Sequence, residues 1–141
     1  MHPLGRLKYL YIGSSDVGRD VAWYRDTLGA RIAWDFEAFG TRVAAVEVAE
    51  GPLVLLAGHR EAGTVLPCWA VDDLEAAVGT LRARGWKPDE GPFGLPDGDA
   101  YLFHDPSGNG LVVFGNERPD ALVARYEAGE EGAVPHAAPA G

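Results

Sequence analysis

Cysteine, long apolar runs and positive charge are all scarce in this chain. Its one cysteine, Cys68, cannot form an internal disulfide and fits a reducing compartment such as the cytoplasm. No apolar run approaches the roughly 20 residues that span a bilayer, and no charged-then-apolar leader opens the chain. Only 12 basic residues stand against 21 acidic ones, and the net charge of −9 argues against nucleic acid. We therefore expect a cytoplasmic protein with neither a membrane nor a nucleic-acid partner.

The rest of the composition is that of a globular protein. The 141 residues are 47% apolar, which is enough for one domain with a real core or for two small subdomains sharing one. The acidic balance is compatible with a cationic ligand, although solubility explains it equally well.

The clearest local signal is the turn sequence DPSGNG at residues 105–110. Proline fixes φ, glycine accepts positive φ, and Asp and Asn side chains bond to nearby backbone. Apolar runs at 100–103 and 111–114 stand on either side, so the sequence predicts a β-hairpin here.

Two amphipathic helices are predicted from apolar residues at helical spacing. The first has Ser15 or Asp16 as its N-cap, Gly29 as its C-cap and an apolar stripe of Val17, Val21, Tyr24 and Leu28. The second follows the pair Asp72-Asp73, ends at Gly85 and is marked by Leu74, Val78 and Leu81.

The order strand-helix-strand-strand-strand occurs twice along the chain. A shift of 57 residues places Asp16 on Asp73 and Gly51 on Gly108. Residues 88–98 contain three prolines and three glycines. This composition favours a long loop that includes, at best, a weak second strand. Residues 117–141 are expected to form a short helix and a flexible acidic tail rich in Ala, Gly and Pro.

These units and three segments resemble the vicinal oxygen chelate superfamily of glyoxalases, bleomycin resistance proteins and extradiol dioxygenases. The segments are DVGRDVAWYRDTLG (16–29), VDDLEAAVGTLRARG (71–85) and FHDPSGNGLVV (103–113). The resemblance implies an α+β fold in which two tandem βαβββ units form a cup-shaped mixed sheet with the helices outside. The predicted domain is 1–116, with units at about 7–57 and 66–115.

The resemblance also implies a divalent metal inside the cup, held by His, Gln or Glu from the first and last strands of each unit. In this sequence the corresponding positions are Leu7 or Tyr9, Val54 or Leu55, Leu66, and Val112. An aliphatic side chain has no lone pair to give a metal. We therefore expect no metal and no other cofactor, as in bleomycin-resistance-like members that lack metal ligands.

Strand alternation predicts which residues face the cup. The more uniformly apolar side of each strand should contact a helix, which leaves Tyr9, Tyr11, Glu47 and His104 facing the cup. The 57-residue shift places Glu47 on His104, so each unit presents one ionisable residue at an equivalent position. Either both lie in solvent at strand ends, or they form a polar pair that fixes a ligand or acts as general acid and base.

Aromatic residues complete the expected ligand site. Trp34 and Phe36 share one face of the second strand. The predicted ligand-binding set is Tyr9, Tyr11, Trp34, Phe36, Glu47, His104 and Phe114. His59 has no supporting pattern and is expected to be a surface residue.

The favoured function is binding of a small aromatic or cationic molecule, as in a sequestering, carrier or resistance protein. The alternative is a lyase, isomerase or dioxygenase, metal-dependent through other ligands or metal-free through Glu47 and His104. A regulatory or accessory module is a third possibility. Bleomycin-resistance-like relatives form homodimers, often exchanging units, so a homodimer is expected here.

Overall fold

The chain forms two compact units. The structure, a computed structural model, describes residues 4–38, 40–87, 90–95, 98–118 and 134–135. Within that part, residues 9–65 and 134–135 form the N-terminal unit, and residues 4–8 and 66–118 form the C-terminal unit. The elements are β1 (Arg6–Gly13), α1 (Val17–Leu28), β2 (Arg31–Ala38), β3 (Thr41–Glu47), β4 (Leu53–Ala57), β5 (Val65–Ala70), α2 (Leu74–Ala83), β6 (Glu90–Leu95), β7 (Gly98–His104), β8 (Gly110–Gly115) and β9 (Val134–Pro135).

Both units pair their strands in the same way. In the N-terminal unit the order is β1-β4-β3-β2-β9, with β1 and β4 parallel and the other pairs antiparallel. In the C-terminal unit the order is β5-β8-β7-β6, with β5 and β8 parallel. Mixed pairing, with one helix in the described part of each unit, confirms the α+β class and the βαβββ repeat. The cup is a property of both units together and stays a prediction.

The bounds of the elements confirm the 57-residue repeat. Strand β3 begins at residue 41 and β7 at residue 98, and they end at 47 and 104, so both ends differ by 57. Helices α1 and α2 begin at 17 and 74, and strands β4 and β8 at 53 and 110, again 57 apart.

Helix α1 is bounded by the caps that the sequence predicts. The Asp16 carboxylate accepts a hydrogen bond from the Arg19 backbone N–H at 3.0 Å, and this satisfies one of the unpaired donors of the first turn. Gly29 ends the helix at φ 70°, a left-handed conformation that favours glycine. The apolar face of α1 packs on the sheet in a core of Val17, Val21, Ala30, Ile32, Ala44, Val46, Val54 and Leu56.

Helix α2 packs on the C-terminal unit in the equivalent way. Asp73 is its N-cap and accepts a hydrogen bond from the Ala76 N–H at 3.0 Å. The core beneath the helix contains Val71, Leu74, Ala77, Val78, Tyr101, Phe103 and Val113. Both helices therefore cover the sheet faces that alternation predicted for them.

The turn between β7 and β8 is organised around one carboxylate. Oδ1 of Asp105 accepts from the backbone N–H groups of Ser107 and Asn109 at 3.0 and 2.9 Å, and Oδ2 accepts from the Asn109 side-chain amide at 2.9 Å. These hydrogen bonds, the Asn109 side-chain bond foremost, lower the pKa of Asp105 below its ordinary 3.8. The predicted hairpin is confirmed.

The proline- and glycine-rich stretch after α2, for which the sequence predicts a loop with at most a weak strand, contains a short and irregular strand. Residues 90–95 form strand β6, which pairs antiparallel with β7 from Glu90 opposite Leu102 to Leu95 opposite Gly98. The register shifts between Glu90 and Phe93, so Pro92 lies in an irregularity. A proline, which has no N–H to donate, is tolerated there.

Two segments near the ends of the chain, the start of β1 and strand β9, also take part in the two units. Residues 6–8 of β1 belong to the C-terminal unit, where the Lys8 ammonium lies 2.7 Å from the Glu117 carboxylate and 5.1 Å from the centre of the Phe114 ring. In the predicted tail, β9 pairs with Phe36 and Glu37 of β2, a strand that the sequence did not predict. Residues 119–133 and 136–141, where the rest of the expected helix and flexible tail would fall, lie outside the described residues.

No helix in the described part of the chain is long and apolar enough to cross a bilayer.

Candidate functional site

The N-terminal unit carries an aromatic surface on the side of its strands that faces away from α1. Ala44, Val46, Val54 and Leu56 point into the α1 core, so their strand neighbours point the other way. We call this surface the aromatic face; it consists of Tyr9, Tyr11, Trp34, Phe36, Val43, Ala45, Leu53, Leu55 and Ala57. It contains all four aromatic residues that the sequence predicted for this unit.

The register of the strands sets the layout of the aromatic face. Tyr11 pairs with Leu55, Leu55 pairs with Ala45, and Ala45 pairs with Trp34. Three strand spacings of about 4.8 Å place Tyr11 and Trp34 roughly 14 Å apart along this row. In the next row Ala57 pairs with Val43, and Val43 pairs with Phe36. Leu55 and the small Ala45 therefore lie between Tyr11 and Trp34.

A β-bulge brings Trp34 onto this face. Ile32 pairs with Val46 and packs beneath α1, whereas Trp34 pairs with Ala45, so Ala33 is an extra residue in β2. Trp34 and Phe36 stack at 5.6 Å between ring centres and are 5% and 7% exposed. Tyr9 is 8% exposed. These three side chains are therefore shielded from water by the chain itself.

A chain of hydrogen bonds lies at the Tyr11 side of the aromatic face. The Tyr11 hydroxyl is 3.1 Å from His59 Nε2, and His59 Nδ1 is 3.3 Å from the Thr41 hydroxyl. His59 is exposed, as predicted for a surface residue, but its partners give it a role that the sequence analysis missed. Its partner Tyr11 is 48 residues away in the chain, so no local pattern could have indicated the pairing.

The loop that carries His59 is attached to the sheet on both sides. The Gly58 N–H donates to the Arg42 carbonyl at 2.9 Å, and the Gly13 N–H donates to the Thr64 carbonyl at 3.1 Å. Gly13 lies directly against the Glu61 carbonyl, where a Cβ atom would collide with backbone. The position of His59 is therefore set by backbone contacts, not by its side chain alone.

His59 favours its neutral form. The ring packs edge-on against Tyr11, with 5.8 Å between ring centres. Partial burial, followed by the positive charge of Arg60, lowers the pKa of His59 below its ordinary 6.5. At neutral pH one ring nitrogen of His59 donates a hydrogen bond and the other accepts one.

Glu47 has a partner that the sequence did not predict. It lies at the end of β3 on the face away from α1, and its carboxylate is 2.7 Å from the Arg31 guanidinium, with both side chains 48% exposed. Arg31 is opposite Glu47 in the β2–β3 register. The predicted pairing of Glu47 with His104 involves both units and stays a prediction.

His104 and Phe114 lie in the C-terminal unit. Tyr101 and Phe103 point into the α2 core, so His104, which is exposed at the end of β7, lies on the opposite face. Phe114 also faces away from α2; it is 2% exposed and packs against Gly98 and beneath the Lys8 ammonium. These contacts give Phe114 a packing role in its own unit.

The positions of the family's metal ligands do not suit a metal in this chain. Leu66 and Val112 in the C-terminal unit, and Leu7, Val54 and Leu55 as the other candidates, are aliphatic, which leaves only the Tyr9 phenol as a donor. Across the described residues, no group of three or more His, Cys, Asp or Glu side chains is placed to hold a metal ion.

A buried ion pair supports β2 and β3 beneath the first turn of α1. Asp35 is fully buried and accepts two hydrogen bonds from Arg42, at 2.9 and 2.8 Å. The hydrogen bonds to Asp35 raise the pKa of Arg42 above its ordinary value. A Cβ atom on Gly18 would lie 2.8 Å from this guanidinium, so the glycine lets the helix approach it.

Comparison with protein families decides the membership of the chain. The model of the Glyoxalase/Bleomycin resistance protein/Dioxygenase superfamily matches residues 6–113. The chain belongs to this superfamily. The predicted resemblance is thereby confirmed, and a comparison with curated proteins finds no match.

Solved structures of the same fold include enzymes. Methylmalonyl-CoA epimerase from Mycobacterium tuberculosis has a TM-score of 0.69 at 18% identity, over 82% of this chain and 90% of that one. The hypothetical protein BH1468 from Bacillus halodurans C-125 has a TM-score of 0.66 at 13% identity, over 80% and 95%. A methylmalonyl-CoA epimerase variant from Streptomyces coelicolor, in complex with 2-nitronate-propionyl-CoA, has a TM-score of 0.59 at 18% identity, over 79% and 97%. At these identities the likeness shows the fold.

Proposed function

We propose that this superfamily member binds a small aromatic or cationic molecule without a metal at the family positions, in a sequestering, carrier or resistance role. The observation that carries the proposal is the combination of aliphatic residues at those positions with the aromatic face of the N-terminal unit. Stacked Trp34 and Phe36 offer flat apolar contact, and aromatic contacts contribute about 0.5–1.5 kcal/mol beyond burial.

Metal content tests the first half of this proposal. We expect the purified protein to contain no stoichiometric transition metal by elemental analysis. Added Zn²⁺, Ni²⁺, Mn²⁺ or Fe²⁺ should leave the midpoint of thermal unfolding nearly unchanged, because a ligand stabilises the folded state only as far as it binds. One metal ion per chain that survives dialysis overturns the proposal.

Ligand binding tests the second half. Titration with aromatic amines and phenols should produce saturable binding by calorimetry. Tyr9→Leu should weaken it by about 0.5–1.5 kcal/mol through lost aromatic contact. The matched control is Tyr24→Leu, since Tyr24 packs on the α1 side of the same sheet. Equal effects of the two substitutions contradict a ligand on the aromatic face.

A second candidate function is catalysis, favoured by the enzymes among the structures of the same fold. We propose as the alternative a lyase, isomerase or dioxygenase, with Glu47 and His104 as acid and base if no metal takes part. Incubation with methylmalonyl-CoA in D₂O, with and without added divalent metal, tests the closest such activity. Deuterium incorporation at the carbon next to the thioester, seen by NMR, supports this alternative over the binding protein.

A further inference from the structure

We propose that the terminal nitrogens of Arg60, in the loop after β4, bind the carboxylate group of a small monoanionic ligand. The inference goes beyond the function proposed above and does not depend on the aromatic face. It starts from a contrast within the N-terminal unit, where two arginines are partly buried and only one of them has a carboxylate partner.

Arg42 and Arg60 are the two partly buried arginines of the part of the chain that the structure describes. Arg42 donates two hydrogen bonds to the buried Asp35 carboxylate. Arg60 makes no ion pair and no side-chain hydrogen bond within the described residues, not even with the neighbouring Glu61. A guanidinium does not lose its proton in a protein, so this positive charge is held in place without a compensating group.

The two ends of the Arg60 guanidinium have different surroundings. Its Nε atom is buried and has no acceptor. The terminal nitrogens, Nη1 and Nη2, have no acceptor among the described residues either, but they are not buried and therefore reach solvent. The exposed edge of the guanidinium plane thus presents a pair of N–H donors, which is the arrangement that binds both oxygens of a carboxylate.

The loop that carries Arg60 is fixed before any ligand binds. The Arg60 backbone N–H donates to the Ala57 carbonyl at 3.3 Å, and the Thr64 hydroxyl and N–H donate to the Glu61 carbonyl at 2.6 and 3.3 Å. Gly13 of β1 packs directly against this carbonyl. A binding group on a rigid loop loses little conformational entropy when its ligand arrives.

The charge around Arg60 favours a monoanion. One guanidinium supplies one positive charge, and the adjacent His59 adds none at neutral pH because its pKa lies below 6.5. The chain as a whole has a net charge of −9, which repels ligands with several negative charges. A carboxylate matches both the single charge and the planar pair of donors, whereas a phosphate dianion leaves one charge without a partner.

Benzoate and benzamide are matched probes, because they have the same shape and only benzoate is charged. The quantity measured is the ratio of the benzamide to the benzoate dissociation constant at pH 7.5, by ligand-observed NMR. Arg60→Met should lower this ratio by about 5- to 30-fold, between the ranges for an exposed ion pair and a buried charged hydrogen bond. Arg84→Met removes an exposed arginine from the C-terminal unit and should leave the ratio unchanged. Equal ratios in the wild-type protein and Arg60→Met, or equal losses in both variants, overturn the inference.

His59 reports the same binding in the wild-type protein. The charge of Arg60 contributes to the lowered pKa of His59, so a carboxylate bound to Arg60 should raise that pKa towards 6.5. NMR titration of the His59 ring protons measures it in sodium benzoate and in sodium chloride of equal ionic strength, because salt alone screens the charge. In Arg60→Met the two salts should give the same pKa. Equal pKa values in the wild-type protein, or no measurable benzoate binding, overturn the inference while the function proposed for the aromatic face stands.

Discussion

Two ion pairs between neighbouring strands illustrate how burial determines the contribution of an ion pair to stability. Asp35 and Arg42 are 0% and 25% exposed, whereas Arg31 and Glu47 are each 48% exposed. Solvent-exposed pairs contribute about 0–1 kcal/mol, because water screens them and ordering the side chains costs entropy. Removing one partner of a buried pair costs about 3–5 kcal/mol, because the other charge is left without compensation. Both pairs join β2 to β3, so they can be compared directly.

Arg42→Met should therefore lower the free energy of unfolding by about 3–5 kcal/mol, because it leaves Asp35 buried and unpaired. Arg31→Met, the same substitution at the exposed pair, should cost at most about 1 kcal/mol. Urea unfolding followed by circular dichroism measures both. Similar losses in the two variants would show that Asp35 gains water or another partner once Arg42 is gone.

Glu117 gives a prediction about pH in the C-terminal unit. Burial alone would raise its pKa, but the hydrogen bond and charge of Lys8, together with Arg6, prevail and hold the pKa below 4.5. A lowered carboxyl pKa stabilises the folded state above the unfolded value of 4.5, and this stabilisation is lost as pH falls through the folded value. Lys8→Met should thus destabilise the protein by about 1–2 kcal/mol at pH 7.

The difference between wild type and Lys8→Met should shrink as pH falls below 4.5 and vanish once Glu117 is protonated in both. Unfolding midpoints across this range measure it. A constant difference would assign the effect to packing of the Lys8 stem on Phe114, which lies beneath the ammonium.

At the level of helices and strands, the sequence predicts those features that depend only on residues close together in the chain. The bounds of α1 follow from Asp16 and Gly29, because a cap acts on the turn next to it. The sequence predicts at most a weak strand at β6 because its prolines and glycines favour a loop, whereas pairing with β7 overrides that local preference. The contacts of His59 were missed for the same reason, since they join residues that only the folded sheet brings together.

The attachment of the His59 loop yields a prediction at Gly13. A Cβ atom there would collide with the Glu61 carbonyl, so Gly13→Ala should displace the loop and break the Tyr11–His59 hydrogen bond. The histidine pKa followed by NMR should then move towards 6.5, because the ring loses its partial burial. Gly79→Ala, where a Cβ atom would meet nothing, is the control. An unchanged pKa in Gly13→Ala would show that the loop does not depend on this contact.

For the molecule as a whole, the repeat was the most informative feature of the sequence. The repeat of strand-helix-strand-strand-strand after 57 residues indicated the superfamily. The ligand positions of that superfamily then showed which residues of this chain lack a metal-donating side chain. The partners of Glu47 were beyond this reasoning, because alternation gives the face of a residue but not its neighbour across the strand. Arg31 could be identified as the partner of Glu47 only from the register between β2 and β3. The bulge at Ala33 shifts that register by one residue.

A homodimer remains our prediction for the assembly. Helix α1 exposes Trp23 and Leu28, at 52% and 44%, and large apolar side chains exposed on a helix favour association. Analytical ultracentrifugation at micromolar concentration should give twice the chain mass of 15.0 kDa. Trp23→Glu should shift the protein towards the single-chain mass if α1 contributes to the contact. A wild-type mass of one chain contradicts the prediction.

The β7–β8 turn also bears on how the protein ages chemically. Asn followed by Gly, as at Asn109-Gly110, is the sequence most prone to deamidation, in which the glycine nitrogen attacks the asparagine side-chain carbonyl. Here the Asn109 amide is bonded to Asp105 Oδ2, and the backbone on either side is fixed by Asp105 and by pairing of Gly110 with His104. Ring closure requires these bonds to open, so the folded turn protects Asn109 from deamidation. The gain of 1 Da that marks deamidation should therefore accumulate much faster in Asp105→Ala than in the wild-type protein.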